Sequence, residues 1–250
     1  AGAALAEAEP LRLRSLADRE KTLGPDHRDV GISLNGLALL YRAQGRFADA
    51  ERLLKRSIAL HEKALGPDHH DVSLPLNSLA LLYLDMGRTS ESEPLFKRNL
   101  AIREKALGPS HRNVATTLLG LATAFRYQGR YAEAEPLYRR ALTIYEAAGG
   151  LEHIDVAHVL NGLAEQYRAQ RRHADAEPAY KRALAIFEKS LGAHHPHVGA
   201  QVNNLAQLYL AMGRFAEAIP LYKRSLEVTE RAYGPDHRDV GIALNNIASL

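Results

Sequence analysis

Apolar residues recur along the chain with the spacing of one face of an α-helix. Four of them in the first full unit occupy positions i, i+3, i+4 and i+7: Leu34, Leu37, Ala38 and Tyr41. This spacing predicts an amphipathic helix, here called helix A, over residues 28–44. A second apolar stripe follows a Gly-Arg turn and predicts helix B over residues 47–65. Each unit therefore reads as a pair of helices joined by a short turn.

The pair returns every 42 residues without an insertion. Six glycines mark the period: Gly24, Gly66, Gly108, Gly150, Gly192 and Gly234. A glycine after helix B can take the left-handed conformation that ends a helix. Asp26 and Asp68 then come just before the next helix A, with Asp29 and Asp71 three residues further on. We expect the first acid of each pair to cap helix A and the second to complete a box-like arrangement.

One helix pair cannot bury its apolar stripe alone, so neighbouring pairs must stack. The period therefore predicts an all-α solenoid that forms one array over residues 1–250. Its parts are helix B of a partial repeat (1–23), five full repeats (24–65, 66–107, 108–149, 150–191 and 192–233) and a partial helix A (234–250). Because the chain starts and stops within a repeat, we expect a fragment of a longer array or protein. Pro75, within helix A, predicts a local irregularity.

Composition narrows the possible functions. The 32 basic and 29 acidic residues nearly balance and are spread along the array, which argues against nucleic acid as the main partner. We find no apolar run that could span a membrane and no signal-peptide pattern, so we expect a cytoplasmic protein. Cysteine is absent, which excludes disulfides and cysteine chemistry. No nucleophile has a matched neighbour, so we expect neither an enzyme nor a cofactor.

Histidines cluster between the helix pairs, mostly one repeat apart, as part of the repeated loop. Only residues 193–197, Ala-His-His-Pro-His, look like a local metal site. No carboxylate or cysteine stands beside them, so we predict no metal ion there.

The order Leu-Ala-x-x-Tyr, then Gly-Arg-Tyr/Phe-x-x-Ala, resembles the tetratricopeptide repeat. Three phrases are similar to the kinesin light chain subgroup of that family, at residues 65–69, 176–184 and 202–206. The resemblance implies a right-handed superhelix whose A helices line the concave side. It also implies that an extended peptide is held in that groove.

Asparagine fills most of one column of helix A, beside the buried stripe: Asn35, Asn77, Asn161, Asn203 and Asn245. An asparagine amide donates and accepts, so it can pair with the main chain of an extended peptide. Arg42, Arg126 and Arg168 lie further along the same stripe and could bind acidic groups. Gln207 belongs to this stripe as well. We predict that these nine residues bind a peptide. The alternative is an asparagine ladder between neighbouring helices, without a ligand.

The leading hypothesis is a protein–protein interaction scaffold that binds an extended, acidic segment in the groove. A first alternative is a structural module whose open apolar ends, including Leu244 and Ile247, stack head to tail. A second alternative is a regulatory arm of a larger signalling protein.

Overall fold

A computed structural model describes the backbone of residues 2–248 and the side chains of residues 7–248. In this part of the chain it contains twelve α-helices and no strand, which confirms the all-α prediction. In chain order they are α1 (Gly2–Leu23), α2 (Arg28–Ala43), α3 (Phe47–Leu65), α4 (Ser73–Asp85), α5 (Thr89–Leu107), α6 (Arg112–Tyr127), α7 (Tyr131–Gly149), α8 (Ile154–Ala169), α9 (His173–Leu191), α10 (Pro196–Ala211), α11 (Phe215–Tyr233) and α12 (Arg238–Ala248). Even-numbered helices are A helices and odd-numbered helices are B helices. None of the described helices is both long and apolar enough to cross a membrane.

Glycines set the helix boundaries where the sequence predicts them. Gly45 ends the first A helix with a φ of +76°, and Gly66 follows the first B helix with a φ of +89°. A residue with a side chain rarely adopts these angles, so the chain leaves the helix at each of these glycines. The first B helix has the predicted bounds, and the first A helix ends one residue earlier than predicted.

Histidine, rather than aspartate, caps the A helices. His27 precedes α2, and its Nδ1 accepts the backbone N–H of Asp29 at 3.2 Å. The same bond, at 3.1–3.2 Å, recurs in the other five loops at His69, His111, His153, His195 and His237. The prediction that Asp26 and Asp68 cap the helices, with Asp29 and Asp71 in a box, is therefore wrong. Asp26 lies one residue too early, and its carboxylate accepts a bond from Lys63 Nζ at 2.6 Å instead.

The irregularity predicted at Pro75 is confirmed. A 3₁₀ turn at His70–Val72 replaces the first turn of this A helix, and the α-helix begins only at Ser73. Proline has no N–H, but in the first turn of a helix that donor would have no partner within the helix. The later start therefore accommodates Pro75 without the loss of a helical hydrogen bond.

The chain forms two compact units, an N-terminal unit (Ala1–Leu137) and a C-terminal unit (Tyr138–Leu250). In the N-terminal unit α1 to α6 pack in sequence, and α4 also touches the A helices α2 and α6. In the C-terminal unit α8 to α12 pack in sequence, and α8 touches α10. Within each unit, neighbouring A helices therefore lie side by side. That residues 1–250 form one array stays a prediction.

Large side chains of the B helices pack against glycines of the next A helix. Phe96 of α5 lies against Gly120 of α6, and the fully buried Tyr138 lies against Gly162 of α8. A Cβ atom on Gly162 would be only 2.7 Å from the Tyr138 ring. The missing side chain thus makes room for the ring, and close packing joins one repeat to the next.

An arginine in the turn between helices A and B forms what we call the turn staple. Arg214 stacks on Tyr209, with its Cζ 4.2 Å from the ring centroid, and its Nη1 donates to Glu177 of the preceding B helix at 2.6 Å. The Tyr209 hydroxyl donates to the same carboxylate at 3.0 Å. Equivalent staples are Arg46–Tyr41–Glu9, Arg88–Tyr83–Glu51 and Arg130–Phe125–Glu93. The staple ties each of these turns to the preceding B helix.

The staple lowers the pKa of its glutamate. For Glu177 the hydrogen bond from Lys181 is the largest cause, partial burial opposes it, and bonds from Arg214 and Tyr209 add to it. The pKa of Glu177 falls from 4.5 to about 2 as a result. A pKa that is lower in the folded protein means that the carboxylate stabilises the fold above pH 4.5. This stabilisation is lost as the pH falls through about 2.

Glu177→Gln keeps the side-chain shape and removes the charge. We expect the free energy of unfolding at pH 7 to fall by about 1–2 kcal/mol, because two cations and a hydroxyl lose their ionised acceptor. Urea denaturation measures this, and the difference from the native protein should shrink as the pH approaches 2. The control is Glu217→Gln, which removes an exposed partner of the same Arg214 and should cost much less. Equal losses in the two variants would contradict the role of the staple.

Candidate functional site

Each A helix presents a second stripe beside its buried one, at the positions equivalent to residues 28, 32, 35, 39 and 42. These positions are alternately four and three residues apart, so they share one side of the helix. We call the stripes of neighbouring A helices the A-helix face. In the N-terminal unit, exposed apolar side chains occupy part of it: Ile32, Leu39 and Leu74. The face therefore offers apolar contact as well as the predicted asparagines.

The asparagines of the N-terminal unit differ in burial. Asn35 is only 4% exposed, and its buried Oδ1 accepts no hydrogen bond from any described residue. Asn77 is half-buried, and its Oδ1 accepts a bond of 3.3 Å from Asn99 of α5. Asn77 also lines a cleft of about 440 Å³ between α4 and α6, opposite Leu119 and Tyr127. Because its Oδ1 already has a partner, Asn77 offers mainly its N–H groups to that cleft.

In the C-terminal unit, two asparagines of the column accept a hydrogen bond from the next A helix, each from an asparagine one position outside the column. Asn204 donates to Asn161 Oδ1 at 3.3 Å, and Asn246 donates to Asn203 Oδ1 at 2.9 Å. Asn161 also donates to Glu165 Oε1 at 3.0 Å, so both ends of its amide have partners.

Two further asparagines of this unit lie where a ligand could reach them. Asn203 lines a cleft of about 330 Å³, together with His197 and Ile242. Asn245 is exposed on α12. The bond from Asn246 and a binding role are therefore compatible at Asn203.

The predicted arginines have different surroundings. Arg42 forms an ion pair with Asp85, so its charge is balanced within the fold. Arg126 lies over the Tyr127 ring, with its Cζ 4.4 Å from the centroid. Arg168 is half-buried, and its Nε donates no hydrogen bond to any residue that the structure describes. Gln207 is half-buried on α10. That these residues and the asparagines bind a peptide stays a prediction.

A basic cleft of about 320 Å³ lies where the A helices α2, α4 and α6 begin, in the N-terminal unit. Its polar lining comes from five helices and the 3₁₀ turn at His70–Val72: Arg28, His61, His70, Asp71, Ser73, Arg103 and Asn113. Arg103 of α5 is 8% exposed and donates to Ser73 Oγ at 2.6 Å, to Asn113 O at 2.7 Å and to Thr117 Oγ1 at 2.9 Å. The columns of helix A do not predict this cleft.

The tetratricopeptide repeat model matches residues 4–63, 37–98, 71–147, 155–200 and 199–250. The chain belongs to the tetratricopeptide repeat family. Proteins with this repeat generally mediate protein–protein interactions. No curated protein sequence matches the chain.

Several solved structures are similar to this tetratricopeptide chain. BtubC (BKLC) from P. vanneervenii is 25% identical, with 94% of each chain covered and a TM-score of 0.73. Kinesin light chain-like repeats from Podosopora anserina are 26% identical, cover 83% of this chain and 98% of their own, and give a TM-score of 0.67. Aspartyl phosphate phosphatase F from Bacillus subtilis is 17% identical, with coverages of 93% and 57% and a TM-score of 0.69, which shows the fold alone.

The 42-residue period of this tetratricopeptide array does contain a signal for the basic cleft. The column of Arg103 on the B helices reads Arg19, His61 and Arg103 in the N-terminal unit, then Tyr145, Phe187 and Thr229. Basic residues thus occupy the column in one unit only. The columns of helix A do not contain this charge, because helix B contributes it.

A possible metal cluster lies at a different place from the one the sequence suggested. The ligand atoms of His69, His70 and Asp71 lie within 4.8 Å of one another. However, His69 Nδ1 serves as the helix cap, and Arg28 Nη1 lies 3.7 Å from Asp71 Oδ2. A neighbouring guanidinium opposes the binding of a metal cation. In the 193–197 segment, His195 is itself a helix cap.

Proposed function

We propose that this tetratricopeptide array binds an extended segment of a partner protein on its A-helix face. The observation that carries the proposal is that predicted asparagines line a cleft of this face in each unit. Asn77 lines the cleft of about 440 Å³ and Asn203 the cleft of about 330 Å³. Exposed apolar side chains lie on the same face, so a bound segment would gain apolar burial as well as hydrogen bonds.

The spacing of the repeats suits an extended chain. Neighbouring helices pack about 10 Å apart, and an extended chain advances about 3.3 Å per residue. One A helix therefore meets roughly every third residue of the segment. At Asn77 and Asn203 the Oδ1 atoms have internal partners, so their N–H groups would donate to main-chain carbonyls of the segment whatever its sequence.

The charge of the face favours an acidic segment. Arg126 and Arg168 lie on this face and could form charge-assisted hydrogen bonds to carboxylates. Arg42 belongs to the same set, but its pairing with Asp85 means that a ligand must compete with an internal carboxylate. An acidic side chain is therefore expected opposite Arg168, whose Nε donates no hydrogen bond to any described residue, rather than opposite Arg42.

A peptide-library screen on the full chain, beside the double variant Asn77→Ala/Asn203→Ala, tests this function. We expect roughly micromolar binding of acidic, extended peptides and about a tenfold loss of affinity in the variant, because a segment bound in either unit loses an amide donor. Circular dichroism verifies that helicity is unchanged. The control is Asn161→Ala, because both ends of that amide have internal partners. Failure of every peptide to bind, or equal losses in both variants, would rule the proposal out.

Head-to-tail association is a second candidate, favoured by an exposed apolar surface on α12. Leu244 is 49% exposed, although its equivalent in the first full repeat, Leu34, is fully buried. Ile242 of α12 and Leu11 of α1 are also exposed. A copy of the chain could place its α1 on α12 of another, a contact that repeats without closing.

Light scattering across a concentration series tests this second candidate. If the chain associates, its mass should rise with concentration above the 27.5 kDa of one chain. The Leu244→Glu variant should then have the mass of a single chain. A constant 27.5 kDa at every concentration would exclude it.

A further inference from the structure

Histidine is concentrated in the loop between α9 and α10. It occupies three of the four positions 194–197, and His194 and His195 line a shallow cleft of about 510 Å³ together with Arg231 of α11. None of the described residues that line this cleft has a carboxylate. Protons taken up by this loop would therefore meet a guanidinium rather than a negative charge.

The His195 ring can cap α10 only while its Nδ1 carries no proton. This Nδ1 accepts the N–H of His197 at 3.2 Å, and the carbonyl oxygen of His195 accepts the N–H groups of Val198 and Gly199 at 2.8 and 3.2 Å. In a protonated imidazole both ring nitrogens donate hydrogen bonds and neither can accept one. The cap therefore belongs to the neutral ring and is lost once the ring is protonated.

The residue two positions after each cap determines what a protonated ring can bond to. Four loops have an aspartate there, with its Oδ2 3.6–3.9 Å from the Nδ1 of the cap: Asp29, Asp71, Asp155 and Asp239. In these loops a protonated ring can donate to the carboxylate and stay at the helix end. The loop of His111 has the uncharged Asn113 at this position.

The α9–α10 loop has a second imidazole at this position instead of an acceptor. The His197 ring stacks on the His195 ring, with 5.5 Å between the centroids and 5° between the planes. Two protonated rings at this separation repel each other. Protonation of this loop therefore removes the cap and also separates the two rings.

Asp239 of α12 is a carboxylate that shares a cleft with His197. Both residues line the cleft of about 330 Å³, and Asp239 Oδ2 lies 3.8 Å from Nδ1 of its own cap, His237. An ionised Asp239 would attract a protonated His197. This attraction does not replace the cap of α10, because His195 lines the other cleft.

On α8, His158 also interacts with His197. The His158 ring lies edge-on to Phe187, with centroids 5.0 Å apart, and partial burial is the largest cause of its lowered pKa. The charge of Asp155 opposes this shift, and that of His197 adds to it. Since a lowered pKa means that the fold favours the neutral ring, the contribution of His158 is present above its ordinary pKa of 6.5 and is lost as the pH falls.

We infer that the α9–α10 loop is an acid-sensitive catch, which holds the first turn of α10 while its imidazoles are neutral and releases it when they are protonated. A first turn that loses its cap opens more often, because few other bonds hold it. Pro196 and His197 of this turn line the same cleft as Asn203. Weaker binding of a partner segment at acid pH rests on the proposed function, whereas the catch itself does not.

Hydrogen exchange of the backbone amides tests the catch in the full chain without a ligand. Protection factors, which remove the intrinsic pH dependence of exchange, are compared at about pH 7.5 and about pH 5.5, because histidines gain their charge in this range. The first turn of α10, residues 197–199, should lose protection about fivefold at the lower pH, which is the factor that a typical cap contributes. The first turn of α8, residues 155–157, should change less than about twofold, because its cap His153 can donate to Asp155.

Two variants assign the effect to the loop. His195→Ser provides a hydroxyl cap that does not titrate, and His197→Asp provides the carboxylate that four other loops have. Both variants should keep α10 protected at the lower pH. The matched control His153→Ser should leave the loss of protection in α10 unchanged, and circular dichroism verifies the helicity of each variant.

The outcomes separate the catch from the proposed function. Equal losses of protection in α8 and α10, or a loss in α10 that persists in both loop variants, would overturn the catch. Because no peptide takes part in the measurement, a failure of every peptide to bind would leave its result unchanged.

Discussion

The turn staple is the interaction on which the arrangement of the A helices depends. Each of the four staples that the structure describes in full joins a turn arginine to a ring of helix A and to a glutamate of the preceding B helix. Rings such as Tyr138, packed on the glycine of the next A helix, fix the spacing between those two helices. Since these contacts lie away from the A-helix face, the residues of the face are free to differ between repeats. A constant frame with a variable face is what a binding scaffold requires.

The helices could be predicted because their boundaries are local. A left-handed glycine ends each pair, and its recurrence every 42 residues identifies the bounds of a helix such as Phe47–Leu65. The caps were harder to predict, because Asp26 and His27 are adjacent and the sequence favours aspartate as a cap. The imidazole of His27 is the cap because His27 is the residue just before the helix, and its Nδ1 accepts a hydrogen bond from the N–H of Asp29. A difference of one position along the chain therefore determines which residue caps the helix.

The candidate site was only partly predictable, because its partners belong to other repeats. Asn203 follows from its column, but its partner Asn246 lies 43 residues away, one position outside that column. The pairing of Arg42 with Asp85 also spans 43 residues and neutralises a charge that the sequence left for a ligand. The basic cleft combines A and B helices, and no single column of helix A could show it. Contacts between residues of different repeats thus limit what the sequence alone predicts about function.

Photo-crosslinking of a bound peptide, read by mass spectrometry, tests the A-helix face most directly. A peptide selected by the full chain would carry a photoreactive group at each position in turn. Binding on this face predicts crosslinks to its exposed and half-buried side chains, among them Ile32, Leu74, Asn77 and Asn203. Crosslinks confined to the outer side chains of the B helices, such as Lys55 and Lys97, would contradict it.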